Sequence, residues 1–367
     1  MTVGYDEQVF LAQRRGGISR YFVSLIEQLR AAPDLGLEPV PGWRLAPNEH
    51  AAEAGLSRVP PGLGRVPAAE RAVCYLTNTP ARRRAQATDV LHHTYYHPRF
   101  LAPGSRARHV TTIHDMIPEL FPDSFSGPNP HLAKRAYVER SDLIICVSQS
   151  ARDDLVAVYG TLAAPVRIIH HGVGPGFSPD LPRPADTPSR YLLYVGRRDG
   201  YKDFDVLLRA LAGLGDDRTS LVAVGGGPFH EVELATQTRL GVAERVLQRA
   251  ASDVELRRLY AHATVFVFPS RHEGFGLPTL EAMASGRVVV LADTSSHPEV
   301  GGDVARYFPA GDDESLRDVL AALLDDEDQR SVLGAAGISR AATFTWRACA
   351  PAHAEAYLSL SEAQGRG

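Results

Sequence analysis

Lysine is nearly missing from this chain. Of 39 basic side chains in 367 residues, only Lys134 and Lys202 are lysines. Such a bias fits a GC-rich bacterial coding sequence, and it gives each surviving lysine a reason to be questioned. Cysteine is as scarce: Cys74, Cys146 and Cys349 are far apart, odd in number and in no metal-ligand spacing. That excludes a disulfide framework and points to a reducing compartment. No apolar run reaches the length of a membrane span, and no apolar N-terminal region precedes a cleavage site. The expected location is therefore cytoplasmic, with at most a peripheral place at the inner face of the cell membrane. A clustered basic face of the kind nucleic acid needs is also lacking. The formal charge is −4, and residues 1–178 carry 19 basic and 16 acidic side chains against 20 and 27 in the remainder. One basic cluster, Ala81-Arg82-Arg83-Arg84, reads as a solvated face before it reads as a contact with anionic lipid or a phosphorylated acceptor.

What is present is an ordinary soluble composition, 44% hydrophobic and 22% charged, at a length that suits two domains. Strand-like runs at 2–6, 89–93, 109–115, 143–148 and 166–173 alternate with helical patterns, among them an amphipathic run over 21–29. Ser148 or Ser150 suits the cap of a helix starting near Ala151. Residues 39–87 have weak periodicity and predict a strand, loops and a helix. A Pro/Gly/Ser-rich stretch over 174–189 is the clearest shift in composition and marks a domain boundary. Beyond it the alternation restarts, with strands at 191–195, 220–224, 246–247, 264–268 and 288–291. Repeated strand–helix order implies parallel sheets covered on both faces. In such sheets ligands sit beyond the carboxyl ends of the strands, where His92, His93, Tyr95, Tyr96, His114 and Asp115 fall. Most of these histidines read as hydrogen-bonded structural groups, and no metal site follows from them.

The most informative stretch runs from Arg271 to Gly286: Arg-His-Glu-Gly-Phe-Gly-Leu-Pro-Thr-Leu-Glu-Ala-Met-Ala-Ser-Gly. It follows the apolar strand and reads as loop then helix, with Pro278 in the first turn and Gly286 at the stop. Glu273 lies in the loop and Glu281 in the first helical turn. Gly274 and Gly276 allow close approach of backbone amides, and the helix N-terminus behind them favours an anion. Carboxylates beside an anion site make sense as acceptors for sugar and ribose hydroxyls. Phosphate on the amides and hydroxyls on the acids describe a nucleotide sugar. The bland alternative is a dipole-favourable Glu in a glycine loop of an unrelated α/β fold.

The pattern His-Glu-Gly-Phe-Gly-Leu-Pro-x-Leu-Glu-Ala-Met-Ala-x-Gly resembles the signature of retaining family 4 glycosyltransferases of the GT-B fold (glycosyl transferases group 1). The resemblance extends to Thr-Ile-His-Asp-Met-Ile-Pro-Glu around His114, to Gly196-Arg197-Arg198-Asp199-Gly200-Tyr201-Lys202-Asp203, to Gly225-Gly226-Gly227-Pro228 and to the helix before the signature strand. It implies two Rossmann-like α/β domains facing a central cleft: an acceptor-side domain over 1–178, a nucleotide-sugar domain over 179–345, and a last helix over 346–367 crossing back to the first. It implies hexosyl transfer from a GDP- or UDP-sugar donor to a glycan, lipid-linked or small-molecule acceptor, with no metal or other cofactor. Glu273 and His114 would be the catalytic pair. Arg197 and Lys202 would bind the donor diphosphate, Glu281 the ribose, and Gly17, Gly274, Phe275, Gly276 and Leu277 would line the donor. Arg198 could replace Arg197, and a front-face path and a covalent intermediate both stay open. Asp203 departs from the asparagine of the family pattern and adds an acid near the presumed phosphates. A sugar-nucleotide epimerase, a phosphorylase and a silent nucleotide-sugar-binding protein are the rival readings.

Overall fold

The computed structural model describes residues 1–59, 67–101, 105–125, 131, 133–198 and 200–362. The chain forms two compact units. One comprises Met1–Glu119, Ser126–Gly172 and Trp346–Gly367, the other Leu120–Phe125 and Val173–Thr345. The change at Val173 falls just ahead of the proline- and glycine-rich stretch, because Val173 donates its amide to the Phe344 carbonyl at 2.9 Å and bridges to Thr345.

In the first unit the strands are β1 (Thr2–Tyr5), β2 (Glu38–Pro41), β3 (Val90–His93), β4 (Arg108–Ile113), β5 (Leu143–Cys146) and β6 (Val166–Ile168). They form one parallel sheet in the order β2-β1-β3-β4-β5-β6. β3 and β5 are buried along their whole length, as expected of apolar runs covered on both faces. β6 is shorter than the run over 166–173 predicts, because it is an exposed edge strand and the chain turns away after Ile169 bonds Cys146. Between β2 and β3 the described residues form three helices, Glu49–Glu53, Pro67–Thr77 and Thr79–Gln86, where the sequence predicts one. Asn78, wholly buried between the last two, takes the amides of Arg44 and Leu45 and donates to the Leu45 carbonyl. That side-chain staple substitutes for periodicity. Ser148 caps the helix Gln149–Tyr159 through the Ala151 amide at 2.9 Å.

The helix Gly17–Ala31 buries Tyr21, Phe22, Leu25, Ile26 and Leu29. The C-terminal helix, Trp346–Glu362, packs on it and adds Trp346, Cys349, Tyr357 and Leu360 to the same core. Each large apolar side chain buried there stabilises by roughly 1.5–3 kcal/mol.

The second unit holds β7 (Tyr191–Val195), β8 (Ser220–Val224), β9 (Val246–Arg249), β10 (Val265–Phe268), β11 (Val289–Ala292) and β12 (Arg306–Phe308). All pair in parallel in the order β12-β11-β10-β7-β8-β9. Its first three strands run one way from β7 and its last three the other way. That is the dinucleotide-binding strand order, and it puts a topological switch point between β7 and β10. β12, three residues long, escapes the sequence pattern.

Candidate functional site

Two loops leave the sheet at the switch point of the second unit. One follows β7 and carries Gly196 to Lys202; the other follows β10 and carries Pro269 to Gly276. Asp199 lies outside the described residues.

The two arginines after Gly196 have different tasks. Arg198 is buried, donates to Glu233 at 2.6 Å and to the carbonyls of Gly227 and Pro228 at 3.0 and 3.1 Å, and also reaches the Gly225 carbonyl. Its guanidinium lies 4.6 Å from the Phe229 ring centroid. It pins the loop after β8, in which Gly225, Gly226 and Gly227 all have φ between +69° and +96°, a region open to glycine. A methyl on Gly226 would come within 2.7 Å of that guanidinium, so the glycine and the arginine interlock. Arg197 is exposed instead, with its backbone carbonyl held by the Tyr194 hydroxyl. Of the pair left open by sequence, Arg197 is exposed and Arg198 is buried, engaged with the loop that it holds.

Lys202 closes the short turn Gly200–Lys202 and forms an ion pair with Glu273. Both side chains are about nine-tenths buried, at 12% and 11% exposure. The Lys202 ammonium also lies 5.2 Å from the Phe268 ring centroid. Asp203 follows with φ +54° and ψ 37°, a left-handed conformation that Asn and Asp adopt most readily after glycine. This accounts for an asparagine-to-aspartate departure at that position. Its carboxylate accepts from Arg271 at 2.8 Å, so the additional acid is neutralised. The Glu273 backbone is gripped from the loop after β11: its amide donates to Ser295 Oγ at 2.9 Å, and Ser296 Oγ donates to its carbonyl at 3.0 Å. Ser295 has φ +48°, a strained setting for a serine and of the kind that gathers at functional sites. Both serines were missed from sequence, where their signal is a polar run at the carboxyl end of a buried strand. His297, fully buried, bonds the Ala292 carbonyl at 2.8 Å, and burial lowers its pKa against the pull of Glu273.

The helix behind the loop is Leu277–Ala284, with Pro278 in its first turn. Glu281 therefore stands in the second turn, not the first, because the helix begins only after Gly276 at φ +98° and ψ 51°. The dipole explanation for Glu281 weakens with that placement, since the effect fades within the first turn. Glu281 is 7% exposed, and Phe275 is buried against Phe344 at 5.9 Å between ring centroids. Gly274, Phe275, Gly276 and Leu277 form the continuous link from Glu273 to that helix.

In the first unit, His114 directly follows β4 and is buried with its Nε2 unpartnered. Burial, then the positive neighbours His131 and Lys134, push its pKa down to about 3, so it is neutral near pH 7. Its ring meets Tyr21 edge-on at 5.1 Å. Gly17 opens the helix that carries Tyr21, preceded by Gly16 in an extended conformation. Lys134, fully buried, donates to the Asp115 carbonyl and to Glu119, both at 2.8 Å, and so fixes the segment after His114. His92 and His93 are structural: His92 bonds Tyr357 and Thr112, and His93 bonds Asp6 and His109. The arginine cluster divides. Arg82 turns inward to Glu7 at 2.6 Å and covers the Tyr75 ring at 3.8 Å, while Arg84 stays exposed. Among the described residues, no group of three or more His, Cys, Asp or Glu is placed to hold a metal, and no helix is long and apolar enough to cross a membrane.

Known proteins resemble this chain at both ends. The family model "Glycosyl transferases group 1" matches residues 182–340, and "Glycosyltransferase Family 4" matches residues 15–176. An O-antigen chain mannosyltransferase B from Escherichia coli is 27% identical over 94% of this chain and 96% of its own length. A D-inositol 3-phosphate glycosyltransferase from Corynebacterium diphtheriae is 32% identical over 60% of this chain, which spans 56% of that relative. Among solved structures, Anabaena HepE in complex with UDP and glucose superposes with a TM-score of 0.73, at 18% identity, over 98% of this chain and all of its own. Sucrose-phosphate synthase from Thermosynechococcus elongatus gives 0.70 at 21% identity, over 98% and 96%. At these identities the structural likeness shows the fold, GT-B.

Proposed function

Because this chain belongs to the glycosyltransferases of group 1 and family 4, we propose that it moves a hexosyl group from a nucleoside diphosphate sugar to an acceptor hydroxyl with retention of the anomeric configuration. The supporting observation is the meeting of the two loops at the switch point of the second unit, where Lys202 and Glu273 pair and exposed Arg197 stands on the same loop as Lys202. Departure of a diphosphate needs its growing negative charge neutralised, and fixed cations in a partly dry site do this at little reorganisation cost. Arg197 and Lys202 take that role, with the amides at the start of the helix Leu277–Ala284. Glu273 accepts hydroxyls of the sugar and, through its ion pair, holds Lys202 in place. Glu281 takes the ribose hydroxyls. On the family pattern, His114 is assigned to the transferred sugar, where a neutral ring can hydrogen-bond without repelling a developing positive charge. No step in this scheme calls for a metal ion.

A mannosyl donor is the first candidate, from the E. coli relative's name; UDP-glucose is the second, from an Anabaena HepE structure in complex with UDP-glucose. The acceptor is a glycan, a lipid-linked sugar or a small polyol. The test is a thermal-shift panel of GDP- and UDP-sugars, followed by anomer assignment of the product by NMR. A donor at a hundred times its dissociation constant raises stability by about 2.7 kcal/mol. Transfer should survive EDTA. A panel without any shift, a product of inverted configuration, or activity lost to EDTA and restored by magnesium would each defeat the corresponding part.

A further inference from the structure

The short segment Leu120–Phe125 comes from the middle of the sequence that builds the first unit, yet it packs as part of the second. It is a self-held turn: the Ser124 amide donates to Phe121 and the Phe125 amide to Pro122, at 3.0 and 3.2 Å. It touches each loop of the donor site. The Phe121 ring lies 5.7 Å from the Tyr201 ring and 5.7 Å from the His272 ring. Tyr201 precedes Lys202 and His272 precedes Glu273, so one side chain braces the backbone on both sides of the ion pair. Phe125 lies 5.9 Å from the Arg197 guanidinium carbon. Ser124 sits on Gly200, where a methyl group would come 2.7 Å from its Cβ; at φ +55° this position is doubly restricted to glycine.

We propose that Phe121 and Phe125 are positioning residues for the donor site. Phe121 fixes the separation of the two loops that carry Lys202 and Glu273, and Phe125 orients Arg197 toward the leaving diphosphate. Aromatic faces suit this task, because a ring on one backbone segment restrains its neighbours without competing for the charges themselves. The proposal rests on the donor-site reading above. It adds that the geometry of that site depends on a segment the family signature does not include.

Steady-state kinetics on the full chain test this, using the nucleotide sugar that the wild type turns over. Phe121→Ala should lower kcat about tenfold, the scale of a modest misplacement of reacting groups. The dissociation constant of the free nucleoside should stay within about twofold, since the base and ribose contacts lie elsewhere. Phe121→Tyr should restore kcat. Phe125→Leu should slow the enzyme severalfold on its own and add little in an Arg197→Met background, as expected of residues acting through one another. A wild-type kcat in Phe121→Ala, equal damage in Phe121→Ala and Phe121→Tyr, or a parallel loss of nucleoside affinity would overturn the proposal. So would fully multiplicative effects of Phe125→Leu and Arg197→Met, which are read even if Phe121→Ala does not fold. A wild type that turns over no nucleotide sugar defeats the functional reading itself, a result distinct from all of these.

Discussion

Lys202 and Glu273 are bound to each other before any ligand arrives, which changes what their substitution measures. Truncating either leaves the other charge nine-tenths buried and unpaired, and that state is costly in its own right. Lys202→Met and Glu273→Gln should each lower kcat by about 100- to 1000-fold, the range for a lost electrostatic stabiliser. The double variant should be no slower than the worse single one, since residues that act as a unit do not add. Multiplying effects in that cycle would assign the two side chains to separate tasks. Glu281→Ala should chiefly weaken nucleotide binding and leave kcat at saturating donor largely intact. The neighbouring arginines provide a sharper contrast. Arg198→Met breaks a buried pair with Glu233 and frees the triple-glycine loop, so it should cost roughly 3–5 kcal/mol of stability. Arg197→Met should leave the melting temperature near that of the wild type and lower turnover. Thermal melts beside kinetics separate the two in one experiment.

At the scale of elements, two left-handed residues set where helices begin. Gly276 precedes Leu277–Ala284 and Asp203 precedes Phe204–Gly213. Gly276→Ala should cost about 1–2 kcal/mol from backbone strain alone. Asp203→Asn should cost far less, because asparagine tolerates the same torsions, and Asp203→Val should cost more than either; urea midpoints check the ranking. These elements also show how far the sequence could be read. Apolar runs such as Leu143-Ile144-Ile145-Cys146 and Val265-Phe266-Val267-Phe268 are legible because a strand buried on both faces has no other composition. The helices between β2 and β3 are not, because Asn78 organises them through hydrogen bonds that have no periodicity. The loop and helix around Glu273 and Glu281 are legible from glycine and proline placement. The start of that helix is not, since it turns on one positive φ at Gly276. Nor does spacing reveal that Lys202 meets Glu273, 71 residues away, or which arginine of a tandem pair faces inward.

For the whole molecule, the two units differ in what acid does to them. Burial holds His114 at about 3 and His353 at about 4, and keeps His92 and His171 well below the usual 6.5. All four lie in the first unit; in the second, His297 is the described histidine whose pKa is lowered. These rings are neutral when folded and take up protons near pH 6.5 when unfolded. The unfolded state therefore binds more protons below that pH. Their contribution is complete above about pH 7 and falls as the pH drops, by up to about 1.4 kcal/mol per pH unit for each histidine. Hydrogen exchange at pH 7.5 and pH 5 should show the first unit opening first; simultaneous opening, or none until carboxylates titrate near pH 4, would contradict this. The order of synthesis bears on the same unit. A ribosome finishes all six strands of the first sheet by Ile168, but the helix that covers Tyr21 and closes that core starts at Trp346. Everything needed for the second unit has been translated by Thr345. A chain halted there should therefore resist protease over residues 173–345 and yield within residues 17–31. The part of the protein begun first is the part completed last.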